Sequence, residues 1–268
     1  MIALEKNRWV LLAIAIGVTG SSVASAAVPW WDAQWKARRR IELSGARRIG
    51  RAPLVAHFRF RDFGHLKPDA SDVRIVSEQG RLVPFRVKFY HPSLYCVAAF
   101  EPDDVTWRGY VYYGNPNATR ADNPWEPRSG LFLVTYRLKD AGCNNWRQMQ
   151  ETMRLSLQQP DGAGFHPYIF DGYNPFGSNE NFVSNYDGYF YAPRKGTYRF
   201  ATISDDASFV LIDGKLVAQW PGSHAVGGGL RGEHGGTIEL EMGAHLVQYY
   251  HVQMGATTVA ELAWTMPG

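Results

Sequence analysis

The sequence predicts an all-β protein of two antiparallel β-sandwich or barrel modules in tandem. Three observations carry this. Aromatic residues make up 14% of the 268 residues, with 27 glycines and 15 prolines, a composition of short strands and tight turns. Apolar runs recur at intervals of roughly ten residues with turn residues between them. Asp213-Gly214 follows the apolar run Phe209 to Ile212, the pairing best suited to a type I′ hairpin turn.

In chain order, Ile41 and Leu43 open the first strand after the basic run Lys36, Arg38, Arg39 and Arg40. Leu54, Ala56 and Phe58 alternate with Val55, His57 and Arg59, the period of a half-buried strand. Val73 to Val76 is a short strand that ends in the turn Glu78-Gln79-Gly80. Val83 to Tyr90, Leu94 to Phe100 and Tyr110 to Tyr113 complete a first module over residues 27–125. The join Asn123 to Gly130 holds two prolines and a glycine, as a short semi-rigid linker does. A second module, residues 130–268, opens on the strand Leu131 to Val134. Trp146, Met149, Met153 and Leu157 recur at helical spacing and predict one short helix. Tyr198 and Phe200 alternate with Arg199 and Ala201, and Ile238 to Glu241, Leu246 to Val252 and Val259 to Trp264 give the later strands. Asp161-Gly162, Asp171-Gly172, Asp187-Gly188 and Asp213-Gly214 are expected to be turns.

Residues 1–26 read as a signal peptide. Lys6 and Arg8 precede the apolar run Trp9 to Val18, and Ala24-Ser25-Ala26 supplies an A-x-A cleavage site, with Ala27 as the new N-terminus. The run is about half the length of roughly 20 residues that spans a bilayer. An exported protein, periplasmic or extracellular, without a transmembrane segment after cleavage is therefore expected. The formal net charge of +3 implies no strong field for nucleic acid. Cys96 and Cys143 are the only cysteines. In an oxidising compartment they could pair, or each could be a buried small hydrophobe, and spacing does not choose between these.

Two stretches resemble known families. Trp35 to Ile41, Asp72 to Val76, Val83-Pro84-Phe85 and Tyr112 to Pro116 resemble a domain-of-unknown-function family of exported bacterial proteins, the DUF2341-type module. That resemblance implies a sandwich and brings no activity with it. Gly196 to Lys215, Phe182 to Tyr189, Leu216-Val217, Gly236 to Leu240, Gly243 to His245 and Leu262 to Trp264 resemble the protective-antigen (PA-14-type) lectin-like domain. This second resemblance implies a sugar-binding or adhesive module. In the sugar-binding members the pair matching Asp205 and Asp206 holds calcium, which in turn binds sugar hydroxyls. Those members add an asparagine from a later loop. The matching loop here, Gln253 to Thr258, has none.

Adjacent carboxylates repel each other, and the pair Asp205–Asp206 persists either around a cation or as acceptors that fix a turn. The loop Trp220 to Gly236 has seven glycines in seventeen residues. Trp220, His224, Arg231 and Glu233 within it could shape a sugar site, by ring stacking and by bonds to hydroxyls; the other reading is a surface crossover whose Trp220 packs on the core. The loop lacks the lysine and the strand–loop–helix setting of a phosphate-binding loop. His224, His234, His245 and His251 have no close zinc-hydrolase spacing, and read as scattered hydrogen-bonding residues. The basic run, extended by Arg47, Arg48 and Arg51, suits either acidic polysaccharide and anionic headgroups or a charged strand edge. Neither Gly-x-Ser-x-Gly nor a thiol-nucleophile signature is present, so the expectation is a non-enzymatic binder, the alternatives being a structural or partner-binding envelope subunit without a sugar site and, more distantly, the ancillary part of a glycan-processing enzyme. Its partners would be glycans or envelope polysaccharide, with envelope proteins as further candidates.

Overall fold

The computed structural model describes residues 29–43, 54–121, 125–139 and 142–268. The signal peptide, the arginines Arg47, Arg48 and Arg51, and Asn123-Pro124 of the join lie outside the described residues. The described chain is all-β, with one α-helix and several antiparallel sheets, and no sheet closes into a barrel. It divides into two compact units, one ending at Arg128 and the other running over Ser129–Gly268.

Among the described residues the first unit has seven strands: β1 (Ala37–Glu42), β2 (Ala56–Phe60), β3 (Arg74–Ser77), β4 (Leu82–Val83), β5 (Phe85–Tyr90), β6 (Cys96–Phe100) and β7 (Arg108–Tyr113). They form one sheet in the order β1-β7-β3-β4 and another in the order β2-β6-β5. Ile41, Ile75 and Val111 of the first sheet pack against Phe58, Ala98 and Phe100 of the second, which makes a sandwich. The single strand expected from Val83 to Tyr90 is two strands in different sheets. Pro84 has no N–H for a ladder and sits where the chain leaves one sheet for the other. β1 is an edge strand, and its basic residues are engaged locally. Arg38 lies over the rings of Trp30 and Tyr110 at 4.7 and 4.5 Å, Arg39 donates to Tyr113, and Arg40 pairs with Glu42 and Glu78.

The second unit adds ten strands and a helix: β8 (Gly130–Arg137), α1 (Trp146–Ser156), β9 (Pro160–His166), β10 (Phe170–Asp171), β11 (Phe182–Ala192), β12 (Gly196–Asp205), β13 (Ser208–Ile212), β14 (Lys215–Trp220), β15 (Gly235–Leu240), β16 (Gly243–Gln253) and β17 (Val259–Thr265). A six-stranded sheet, β14-β13-β16-β11-β8-β9, faces a four-stranded sheet, β10-β17-β12-β15. Leu133, Tyr186, Phe190 and Tyr249 from the larger sheet meet Tyr198, Phe200 and Leu262 from the smaller. The expected helix is present. Asn145 caps it, its side chain accepting from the Gln148 N–H at 3.0 Å, and Met149 and Met153 pack on the back of the larger sheet with Val183, Phe209 and Val252.

Two of the expected turns are strand interiors. Asp161-Gly162 lies in β9 and Asp187-Gly188 in the middle of β11. Gly188 is there because β8 runs so close that any side chain would strike the Gly130 carbonyl. Asp213-Gly214 is the expected turn, with φ of 48° and 75°, both in the region a type I′ hairpin requires. Cys96 and Cys143 are both free and buried, one in the core of each unit. Burial raises both thiol pKa values, so each is an inert thiol at neutral pH.

Candidate functional site

Asp205 ends β12 and Asp206 starts the two-residue crossing to β13 in the facing sheet, with a cis peptide bond between them. The two carboxylates differ. Asp206 is tied into the backbone of two loops. Its Oδ1 accepts from the Ser223 hydroxyl at 2.7 Å and the His224 N–H at 3.3 Å, and its Oδ2 accepts from the Met254 N–H at 2.8 Å. The Asp205 carboxylate accepts no hydrogen bond among the described residues. Burial first, then the neighbouring Asp206 charge, raises its pKa, and His224 opposes this weakly.

The side chains behind the pair are polar and deeply buried. Thr202, Ser204 and Ser208 form a hydroxyl chain at 2.7 and 2.8 Å, which Tyr249 joins at 3.2 Å. His251 Nε2 donates to the Asp205 carbonyl at 2.9 Å, which leaves the buried Nδ1 as an unpartnered acceptor. Burial holds this imidazole neutral, with its pKa pushed down to about 4. The Gln253 amide donates to the carbonyls of Gly255 and Thr257, folding the loop beside Asp206, and its Oε1 is buried without a partner.

The glycine-rich loop forms a different arrangement from a sugar platform. Trp220 is nearly buried, and both faces of its indole are taken. The His224 ring stacks on one at 3.8 Å and 10°, the His234 ring on the other at 3.8 Å and 11°. Gly229 runs so close over the indole that a side chain there would strike the ring. The stack leaves no free Trp220 face for a sugar ring, and what covers the indole is the loop itself. Arg231 and Glu233 are exposed. Glu233 accepts from the Arg231 N–H at 2.8 Å and so closes a local turn. His224 has its Nε2 on the Trp220 carbonyl at 3.3 Å and its Nδ1 buried without a partner. Asp205, Asp206 and His224 therefore come together, whereas Arg231 and Glu233 stand apart as a turn. Ser223 and Met254, which hold Asp206, carried no signal in the sequence, because one contributes a hydroxyl from a loop and the other only its backbone.

No group of three or more His, Cys, Asp or Glu side chains among the described residues could by itself hold a metal ion. A calcium ion draws on oxygens of every kind, however, and wants six to eight of them. Asp205 offers a whole carboxylate, Asp206 Oδ2 has a remaining lone pair, and a partly desolvated carboxylate beside another gains from a cation. These two residues fit the acidic part of such a shell. The rest would come from backbone carbonyls, waters or ligand hydroxyls.

Comparison with known proteins bears on the same region. Residues 171–268 match the PA14 domain family. The PA14 match begins at β10, whereas the compact unit begins at Ser129, so β8, α1 and β9 extend the structure ahead of it. Among solved structures, the PA14 domain of the MpAFP antifreeze protein is 18% identical with a TM-score of 0.45, over 55% of this chain and 89% of that one. A PA14 sugar-binding domain from an RTX adhesin is 16% identical with a TM-score of 0.41, over 51% and 89%. The epithelial adhesin 9 A domain of Candida glabrata, solved with Galβ1-4GlcNAc, is 14% identical with a TM-score of 0.38, over 52% and 82%. No curated protein matches the chain. The resemblance of residues 27–125 to the DUF2341-type module stays an expectation from the sequence. That unit carries a cleft of about 290 Å³ between β5 and the segments 68–73 and 120–121.

Proposed function

We propose that the protein is an exported, non-catalytic binding protein whose second unit recognises glycans or envelope polysaccharide at Asp205, with a calcium ion between protein and sugar. The observation that carries this is the contrast within the aspartate pair: one carboxylate fixes the loops, and its neighbour, with little of its surface exposed, accepts no hydrogen bond among the described residues. A carboxylate that has lost part of its water and gained no protein donor is favoured by a cation. The PA14 match supports a sugar as the ligand class. The first unit would serve as spacer or docking platform, and envelope proteins would be further partners. The competing reading is a structural or partner-binding envelope subunit without a sugar site. It draws on Asp206, whose three hydrogen bonds are those of a loop anchor.

A glycan array and thermal melts with calcium and with chelator test the proposal. Calcium at a hundredfold excess over its dissociation constant should stabilise the protein by about 2.7 kcal/mol. Asp205→Asn should abolish that stabilisation together with glycan capture. A wild-type melt indifferent to calcium, on metal-stripped protein that is then refilled, rejects the ion. Glycan capture that persists under chelator keeps the sugar and discards the calcium bridge.

A further inference from the structure

On the outer face of the smaller sheet of the second unit, strand pairing sets a row of side chains beside Asp205. Phe170 of β10 pairs with Glu261 of β17, and Glu261 pairs with Ile203 of β12. Directly paired residues project to the same side of a sheet, as do residues two apart on one strand. Thr202 and Ser204 face the interior, where they bond Ser208, so Ile203 and Asp205 face out. Phe170, Glu261, Ile203 and Asp205 thus share one face. Two strand spacings set the Phe170 backbone ~10 Å to one side of β12.

The edge of this face is aromatic. Ile169 and Asp171 point inward, the first into the core and the second onto the Tyr186 hydroxyl and His166 at 2.8 Å. Tyr168 and Phe170 are left outside, 45% and 56% exposed, and Tyr173 follows two residues beyond Asp171 at 55%. Three exposed rings within six residues, on a segment whose intervening Ile169 and Asp171 are buried, are not a by-product of core packing. Apolar and charged side chains alternate along the row, with a half-buried Glu261 between Phe170 and Ile203.

We propose that this face is a second subsite for the same ligand, so that the second unit binds a pyranose chain of several rings rather than one terminal sugar. Phe170 and Tyr168 take the C–H face of a ring, and Glu261 accepts from its hydroxyls. A pyranose matches that pattern because it has an apolar face and a hydroxyl rim, whereas a protein partner is matched by a contiguous apolar patch that excludes charge. The inference rests on the glycan reading of Asp205 and extends it by continuity along one sheet face.

The test uses the full chain with glucose, galactose, cellohexaose, chitohexaose and mannohexaose as probes, followed by calorimetry. The variants are Phe170→Ala, Tyr168→Ala and Asp205→Asn. The ring substitutions are at exposed positions, and unchanged melts verify that folding is intact. The expected result is a hexaose that wild type binds and Phe170→Ala binds about tenfold more weakly, with monosaccharide affinity unchanged. Asp205→Asn should lose both. If both ring variants bind hexaose as wild type does while Asp205→Asn does not, the second subsite is wrong and the Asp205 reading stands. If hexaose binding survives Asp205→Asn and is lost in Phe170→Ala, the aromatic face binds glycan and the Asp205 reading fails. A wild type that binds none of the probes overturns both. Self-association of wild type that Phe170→Ala abolishes assigns the face to a second copy of the chain and also overturns the subsite.

Discussion

Each unit buries an aspartate that gathers its loops, and in the second the residue just before it in the chain is another carboxylate. In the first unit, Asp72 is fully buried. It accepts from the N–H groups of Lys67, Gly114 and Asn115 at 3.0, 2.7 and 3.2 Å. In the second unit, Asp206 does the same with Ser223, His224 and Met254. Both are carboxylates whose charge is met by protein donors, and both are explained by the loops they hold. Asp205 has the same chemistry and nearly the same burial as Asp206 but none of these partners. Residue type and burial do not separate an anchor from a binding group. The hydrogen-bond inventory does.

The largest effects should come from the anchors. Asp72→Ala and Asp206→Ala each leave three donors without an acceptor, and each should destabilise by about 3–5 kcal/mol in denaturant unfolding, Asp72→Ala the more. A loss under about 1 kcal/mol at either site would break the parallel between the two units.

Acid should next affect both units in the same direction. Burial depresses His57 in the first unit and His251 in the second to about 4, below the 6.5 of a free imidazole. The unfolded chain takes up these protons first, so stability is lost as pH falls from about 6.5 towards 4 and is fully present above that window. About 3 kcal/mol should be at stake at each site. The slope from each should flatten in His57→Gln and His251→Gln. Melting curves at pH values across the window that fail to fall would place these rings in water.

The smallest effect should have the opposite sign. The raised pKa of Asp205 is a cost to the folded state that is present above its folded pKa and disappears below the unfolded value. Asp205→Asn removes the charge, and without calcium should make the protein slightly more stable at neutral pH, the gain fading as the solution is acidified through the carboxylate range. A clear loss of stability instead would mean that Asp205 has partners of the Asp206 kind.

The local pattern of the sequence was enough for most strands, because alternation reports one buried face and each such face must find another. It was enough for α1, where Met149 and Met153 mark the face and Asn145 the cap. It also located the I′ turn at Asp213-Gly214, since few other dipeptides accept two positive φ values in succession. It misread Asp187-Gly188 as a turn, because a glycine required by a neighbouring strand looks the same in sequence as a glycine required by a bend. The hidden partner was β8, over fifty residues earlier, whose backbone passes too close for a side chain. Trp220 was legible as a candidate but not as the centre of a stack, for its two histidines lie four and fourteen residues on and meet it only through the fold of the loop.

The sequence by itself determined the all-β class, the helix, and the presence of two adjacent carboxylates in a PA-14-like stretch. These follow from spacing within a few residues of one another, which the chain carries before it folds. Only the tertiary structure decided that Asp206 is an anchor and Asp205 is not, and that Phe170 shares a face with it. Those distinctions depend on which loop donors arrive from 17 to 48 residues away and on which distant strands pair, and no local pattern records their arrival.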